Sequence, residues 1–254
     1  CAITGYGQTG PYKSFAGHDV NYLSYAGLLY YQREEHGKPS IPVTQIADIS
    51  GGSLNAALGI LIALMYKQRT GNGQFIDISM TDGVIAMLQT ILPNFLAGEN
   101  IIPGHINLGG ARASYTVYET ADRRYLAVSA LEPKFWQEFC QCIGRTDFIK
   151  KLDAPAEVQT EMKMEIEEII RQKTLAEWMV IFKEKDACVS PLITLEELIV
   201  NPQVKEREMI IEAKNQKHIG MPIKLSDTPG TIRTLAPKLG ENNIEILGKV
   251  RSKS

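Results

Sequence analysis

Two side chains able to trade a proton stand in glycine-bearing turns thirty residues apart. His18 lies in "AGHDVNY", with a second acid, Asp19, directly after it, and Asp48 lies in "IADISGGS". An imidazole and a carboxylate can share acid–base work, since the ordinary histidine pKa of about 6.5 populates both protonation states near neutrality. A third group, Glu132 in "ALEPKFW", sits directly before a proline. A carboxylate there can orient an imidazole and fix its tautomer. Taken singly these residues are ordinary: His18 and Asp48 suit helix caps, and Asp19 suits a first helical turn, where the dipole favours an acid. Their value depends on whether the chain brings them together.

The flanking elements are legible in outline. "CAIT" reads as a short strand, and the Gly- and Pro-rich "GYGQTGPYKSF" as a loop leading to a helix that starts at Asp19. "SLNAALGILIALMYKQRT" reads as a long helix with Ser50 or Ser53 as N-cap and Gly71 beyond its end. Asp48 then falls at a strand-to-helix junction. Its two following glycines would let a ligand approach the backbone, and unpaired N–H groups at the helix start would stabilise an oxyanion. "QFIDISM" alternates like a strand, and "TDGVIAMLQTILPNF" is helical up to Pro93. Strands alternating with helices predict α/β packing about a mainly parallel sheet.

A glycine- and asparagine-bearing segment, "AGENIIPGHINLGGARAS", reads as a linker. Two strands, "YTVYET" and "RYLAVSAL", follow it, then helices at about 133–143, 156–172 and 174–185, predicting a smaller α+β domain. The charge-dense "EMKMEIEEIIRQK" is an amphipathic helix with a solvated face. From about Glu206 the chain reads as irregular and Pro-bearing, with a second linker near 203–222 and a tail that lies back on the first domain. The expected division is 1–108, 109–212 and 213–254.

Composition narrows the class. With 27 Lys+Arg against 29 Asp+Glu the formal net charge is -2, which argues against a phosphate-neutralising nucleic-acid partner. Cys1, Cys140, Cys142 and Cys188 make no metal-ligand set and read as reduced thiols of a cytoplasmic protein; no metal is expected. No apolar run reaches the roughly 18 residues of a membrane span, so no membrane partner is expected, and the longest, around Leu58 to Met65, reads as a buried helix. His36, His105 and His218 read as exposed loop residues. The terminal "RSKS" carries no peroxisomal address. A chain opening on Cys1 with "CAIT", like a strand entered midway, reads as the later portion of a longer polypeptide.

Three stretches, "AITGYGQTGPY", "GQFIDISMTDG" and "DTPGTIRTLAPKLGENNIEIL", resemble the CoA-transferase class III family, and the likeness runs over essentially the whole chain. The resemblance implies a large Rossmann-like, CoA-binding α/β domain, whose remainder is 1–108, a small α+β domain, and an interlocked homodimer. Transferase members usually carry an aromatic where His18 stands and use the counterpart of Asp48 as a nucleophile. Members of the α-methylacyl-CoA racemase type carry His there and an "EPxF" segment like Glu132–Phe135. By that match His18 and Asp48 are the two bases of an acyl-CoA racemase and Glu132 the supporting acid. A small domain lacking the glycine run of the formyl-CoA transferase type agrees with this. One departure is Thr44, where such racemases often have Asn.

The substrate implied is a 2-methyl-branched acyl-CoA thioester, with coenzyme A entering as part of the substrate and no separate cofactor. Gly17, Asp19, Tyr22 and Tyr115 are expected to contact it, although Tyr22 also reads as packing and Tyr115 as core. The competing reading is a CoA-transferase passing through an anhydride on Asp48. A third is a non-enzymatic folding or partner module.

Overall fold

A computed structural model describes residues 1–34, 36–213 and 215–251, with secondary structure of both types. The chain forms two compact units, Cys1–Leu192 and the residues from Ile193 onward. The first contains β1 (Ala2–Thr4), α1 (Asp19–Tyr25), α2 (Leu28–Tyr31) and a π-helical segment (Ala47–Leu54) that runs into α3 (Asn55–Thr70). There follow β2 (Asp77–Ser79), α4 (Met80–Met87), α5 (Leu92–Leu96), β3 (Tyr115–Glu119), β4 (Tyr125–Ser129), α6 (Pro133–Cys142), α7 (Ala156–Ile170), α8 (Leu175–Phe182) and β5 (Val189–Pro191). The second unit contains α9 (Leu195–Val200), α10 (Pro202–Glu206), β6 (Ile210–Ala213), β7 (Gln216–Ile219) and α11 (Asn243–Arg251).

β1 and β2 pair in parallel, Ala2 opposite Asp77 and Thr4 opposite Ser79. Such strands need a crossover, here supplied by the stretch that contains α1 and α3. α3 ends where the sequence places its stop, with Lys67 and Arg69 in the last turn and Gly71 at φ 79° donating to the Lys67 carbonyl. Its beginning differs from expectation. Helical backbone starts at Ala47 with Ile46 as N-cap, so Ser50 and Ser53 lie inside the π-helical turns. A loop rather than a strand precedes Asp48.

The middle of this helix is also not buried: Leu61 is 59% and Met65 64% exposed. A two-strand sheet offers too narrow a surface to cover a helix apolar on several sides. By length and composition alone Ala47–Thr70 could cross a membrane. Its first turns, however, carry Asp48 and pack tightly on α4, as a helix of a globular α/β layer does.

That packing explains the glycines after Asp48. A Cβ on Gly51 would meet the Met80 carbonyl oxygen at 2.5 Å, and one on Gly83 would meet the Gly51 oxygen at 2.3 Å. The pair lets two helical backbones touch, so backbone–backbone approach takes the place of the expected ligand. After α4 the helix is interrupted by a turn at 88–91, and Pro93 sits in the first turn of α5 instead of ending a long helix. A first-turn proline lacks only an N–H that would be unpaired anyway.

Beyond the turns at 97–114, β3, β4 and β5 form an antiparallel sheet in that order. α6, α7 and α8 pack on it around Tyr118, Leu126, Trp136, Phe139, Phe148, Ile166 and Trp178, all buried. α7 buries Gln159, Met162, Ile166 and Ile170, the one-faced spacing its sequence predicts. Polar tips inside this core are satisfied: Trp136 Nε1 donates to the Phe148 carbonyl at 2.8 Å and Trp178 Nε1 to that of Ile170 at 2.7 Å. The third strand, only three residues long, carries too little pattern to be seen in the sequence.

In the second unit the expected irregular tail contains an antiparallel hairpin, β6 with β7, and a helix, α11. The segment 203–222 thus carries most of α10 and the hairpin instead of irregular chain. His218 is likewise not an exposed loop residue: it lies on β7 opposite Ile211, half-buried, with Nε2 buried and without a hydrogen-bond partner among the described residues.

Candidate functional site

β1 ends at Thr4, and the carbonyl of Gly5 accepts from both the backbone N–H and the hydroxyl of Thr81, at 3.0 and 2.8 Å. This fixes the start of α4 against the loop that carries the site. The loop is also held by Asp77, whose carboxylate oxygens accept from the Gln8 N–H at 3.0 and 3.2 Å. Tyr6 packs edge-on against Tyr12, Tyr22 and Tyr25, with ring centroids 5.2–5.9 Å apart. Tyr22, buried in this cluster, donates its hydroxyl to the Gly17 carbonyl at 2.5 Å. Gly17 and Tyr22 thus serve each other. Tyr22 is a packing residue that pins the turn before His18.

His18 caps α1 and is exposed. Its backbone N–H donates to Asn21 Oδ1 at 3.1 Å, while its carbonyl accepts from the Asn21 N–H at 2.8 Å. This reciprocal pair fixes the backbone and leaves the imidazole at the surface. Asp19, next in sequence, turns inward and is 8% exposed. Its Oδ1 accepts from the N–H of Ala47 at 2.6 Å and of Asp48 at 3.1 Å. One carboxylate therefore ties the residue after His18 to the backbone of Asp48.

Asp48 itself is partly exposed, and its carbonyl accepts from Ser53 Oγ at 2.9 Å. Burial first, then Tyr6 and the charge of Asp48, raises the Tyr22 phenol above its ordinary 10.0. The sequence places the unpaired oxyanion donors at a helix start beyond Ser50 or Ser53, but the helical segment begins earlier and its first N–H groups are those of Ala47 and Asp48. They are engaged by Asp19, so an oxyanion must find its donors elsewhere.

Glu132 caps α6 and is exposed, with Cys188 among the groups its charge acts on. Among the described residues no hydrogen bond joins it to His18 or Asp48. Tyr115, on β3, lines a cavity of about 500 Å³ with Thr116, Val117 and Ser129, again apart from His18. A cavity of about 570 Å³ is bordered by His105, Arg112 and Lys163, and the two cations Arg112 and Lys163 are used structurally. Arg112 donates to the Leu152 carbonyl at 2.7 Å, and Lys163 to that of Gly110 at 2.7 Å. No group of three or more His, Cys, Asp or Glu able to hold a metal is found among the described residues.

Sequence reasoning missed Tyr6, Asn21 and Gly83 as parts of this assembly. Gly83 left a signal, because a glycine inside a helix is costly unless something must come close. Asp19 was expected to touch substrate; its carboxylate instead faces protein backbone.

The arrangement belongs with a known sequence pattern: residues 1–243 match CoA-transferase family III. The chain belongs to that family. Both chemistries of the family occur among its relatives. Human alpha-methylacyl-CoA racemase is 35% identical over 253 residues, covering 96% of this chain and 65% of that protein. Succinate–glutarate CoA-transferase of Agrobacterium fabrum is 29% identical over 268 residues, covering 99% of this chain and 65% of that protein. The crystal structure of a CaiB/BaiF family protein from Brucella suis matches with a TM-score of 0.81 at 23% identity, over 98% of this chain and 66% of that one. The last is a likeness of fold. This chain spans just under two thirds of the length of these curated relatives.

Proposed function

We propose that the protein is an acyl-CoA racemase that inverts the α-carbon of 2-methyl-branched acyl-CoA thioesters, with His18 and Asp48 as the two bases. The observation that carries this reading is the pair of hydrogen bonds that Asp19 accepts from the backbone N–H groups of Ala47 and Asp48, which ties the His18 turn to Asp48. The racemase among the relatives, at 35% identity, supports it. A hydrogen α to a thioester carbonyl is weakly acidic, so removing it needs a positioned base and a stabilised enolate. Inversion needs a proton source on the opposite face. Neutral His18 with protonated Asp48 serves one direction, and imidazolium with carboxylate serves the other. The scheme requires no metal or redox cofactor beyond the coenzyme A of the substrate.

Glu132 enters this reading as the acid that orients His18 from a second copy of the chain. That assigns a composite site to an interlocked homodimer, with 1–108 and 213–254 as large-domain material and 109–212 as the small domain. Its setting is cytoplasmic, without nucleic-acid or membrane partners. Co-refolding a His18→Ala chain with a Glu132→Ala chain should restore activity that simple mixing does not.

The CoA-transferase relatives favour a second reading, in which the Asp48 carboxylate attacks the thioester carbonyl. An acyl–aspartyl anhydride forms as the C–S bond breaks and CoA leaves as thiolate. Incubation with a chiral acyl-CoA in deuterated water separates the two. α-Deuterium with no hydroxylamine-trappable Asp48 adduct supports the racemase. Acyl exchange with such an adduct and no deuterium supports the transferase.

A further inference from the structure

We infer that Asp19 is a positioning residue for Asp48, acting through the backbone of the π-helical segment rather than by touching substrate. The first N–H groups of any helix lack intrahelical acceptors, and a carboxylate placed there satisfies them with charge-assisted bonds. Asp19 does this for two consecutive donors, Ala47 at 2.6 Å and Asp48 at 3.1 Å, from a site that is 8% exposed. A π-helical segment is rare and departs from the α-helical hydrogen-bond pattern, so contacts from outside help to set its rotation. Two features do so here. The Gly51–Gly83 contact sets its distance from α4, and Asp19 sets the rotation of its first turn. The direction in which Asp48 leaves the backbone follows from that rotation. Because Asp19 is covalently next to His18, the same bonds register the imidazole against the carboxylate. Asp19 therefore governs the geometry of both acid–base groups while its own carboxylate faces backbone donors.

The activity arm of the test rests on the racemase reading; a second arm, amide hydrogen exchange, does not. Asp19→Ala removes the acceptor, and Asp19→Asn keeps one acceptor oxygen without the charge. With a chiral 2-methylacyl-CoA, Asp19→Ala should lose about a hundredfold in kcat, the scale of a misplacement near 1 Å, with KM changed less than about threefold. Asp19→Asn should recover to within about tenfold of wild type. In the same samples the amides of Ala47 and Asp48 should exchange at least about tenfold faster in Asp19→Ala, with the core at 113–170 unchanged. A raised KM with unchanged kcat, or unchanged protection of those two amides, overturns the assignment. Should Asp19→Ala fail to fold, Asp19→Asn decides alone. Weakened protection at 47 and 48 with KM unchanged supports the role, and full protection with raised KM overturns it. A wild-type protein without α-proton exchange would remove the racemase reading and leave the amide measurement to decide this one.

Discussion

Burial separates residues that can do chemistry from residues that hold it in place. His18 and Asp48 keep access to solvent, while Asp19 and Tyr22 turn inward and are spent on backbone groups. Two of the thiols contrast in the same way, with Cys142 and Cys188 between them. Cys1 is exposed and Cys140 buried, and burial pushes the Cys140 thiol up to about 12. The thiolate is the reactive form, so Cys140 stays protonated and inert at mildly alkaline pH. Iodoacetamide at pH 8 should label Cys1 rapidly and Cys140 only after unfolding, read by peptide mass spectrometry. Equal labelling of both in the native protein would contradict the packing around α6.

At the scale of elements, the π-helical segment and α4 depend on a contact that admits no side chain. Gly83→Ala places a methyl within 2.3 Å of the Gly51 oxygen. Such overpacking should lower stability by about 1–3 kcal/mol in a thermal or urea melt. An unchanged midpoint would show that the helices can part at no cost.

The small core predicts an acid limit. The Thr120 hydroxyl holds Asp122 below the ordinary carboxylate range, Arg145 does so for Asp147, and the Thr174 backbone N–H does so for Glu177. Each native carboxyl is depressed relative to the unfolded chain. Their contribution is therefore present above about pH 4 and is lost as pH falls through the native values. Melting followed by circular dichroism should show the midpoint dropping between pH 5 and about pH 3, most steeply at the acid end. A flat profile would contradict these bonds.

Helices with one clear apolar face, such as α6 and α7, were legible in the sequence to within a residue or two. The π-helical start, the role of Gly51, the strand β5 and the hairpin β6–β7 were not. Each depends on a tertiary partner or a few residues of pairing rather than on a local period. His18 and Asp48 were legible as residue types. That they share a clamp was not, because a hydrogen bond between positions 19 and 47 leaves no periodic trace.

At the scale of the whole molecule, a parallel pair of strands and an apolar helix are surfaces that ordinarily lie beneath further structure. Parallel sheets occur covered on both faces, and two strands alone are marginal. Phe75, just before β2, is 71% exposed, as Leu61 and Met65 of α3 are largely exposed. The proposed interlocked dimer makes a definite statement about assembly. Sedimentation of the protein should give a dimer that does not dissociate on dilution, with an interface well above the standard of about 1,600 Å². A freely exchanging monomer would contradict it, and would leave Glu132 without a part in the site.

The two-base reading is tested most directly by following α-proton exchange in deuterated water separately for each enantiomer of a 2-methylacyl-CoA. The wild-type protein should exchange both and interconvert them. His18→Ala should exchange one enantiomer only and Asp48→Asn only the other, with neither variant racemising. Loss of both exchanges in the Asp48 variant together with full racemisation by His18→Ala would contradict the account.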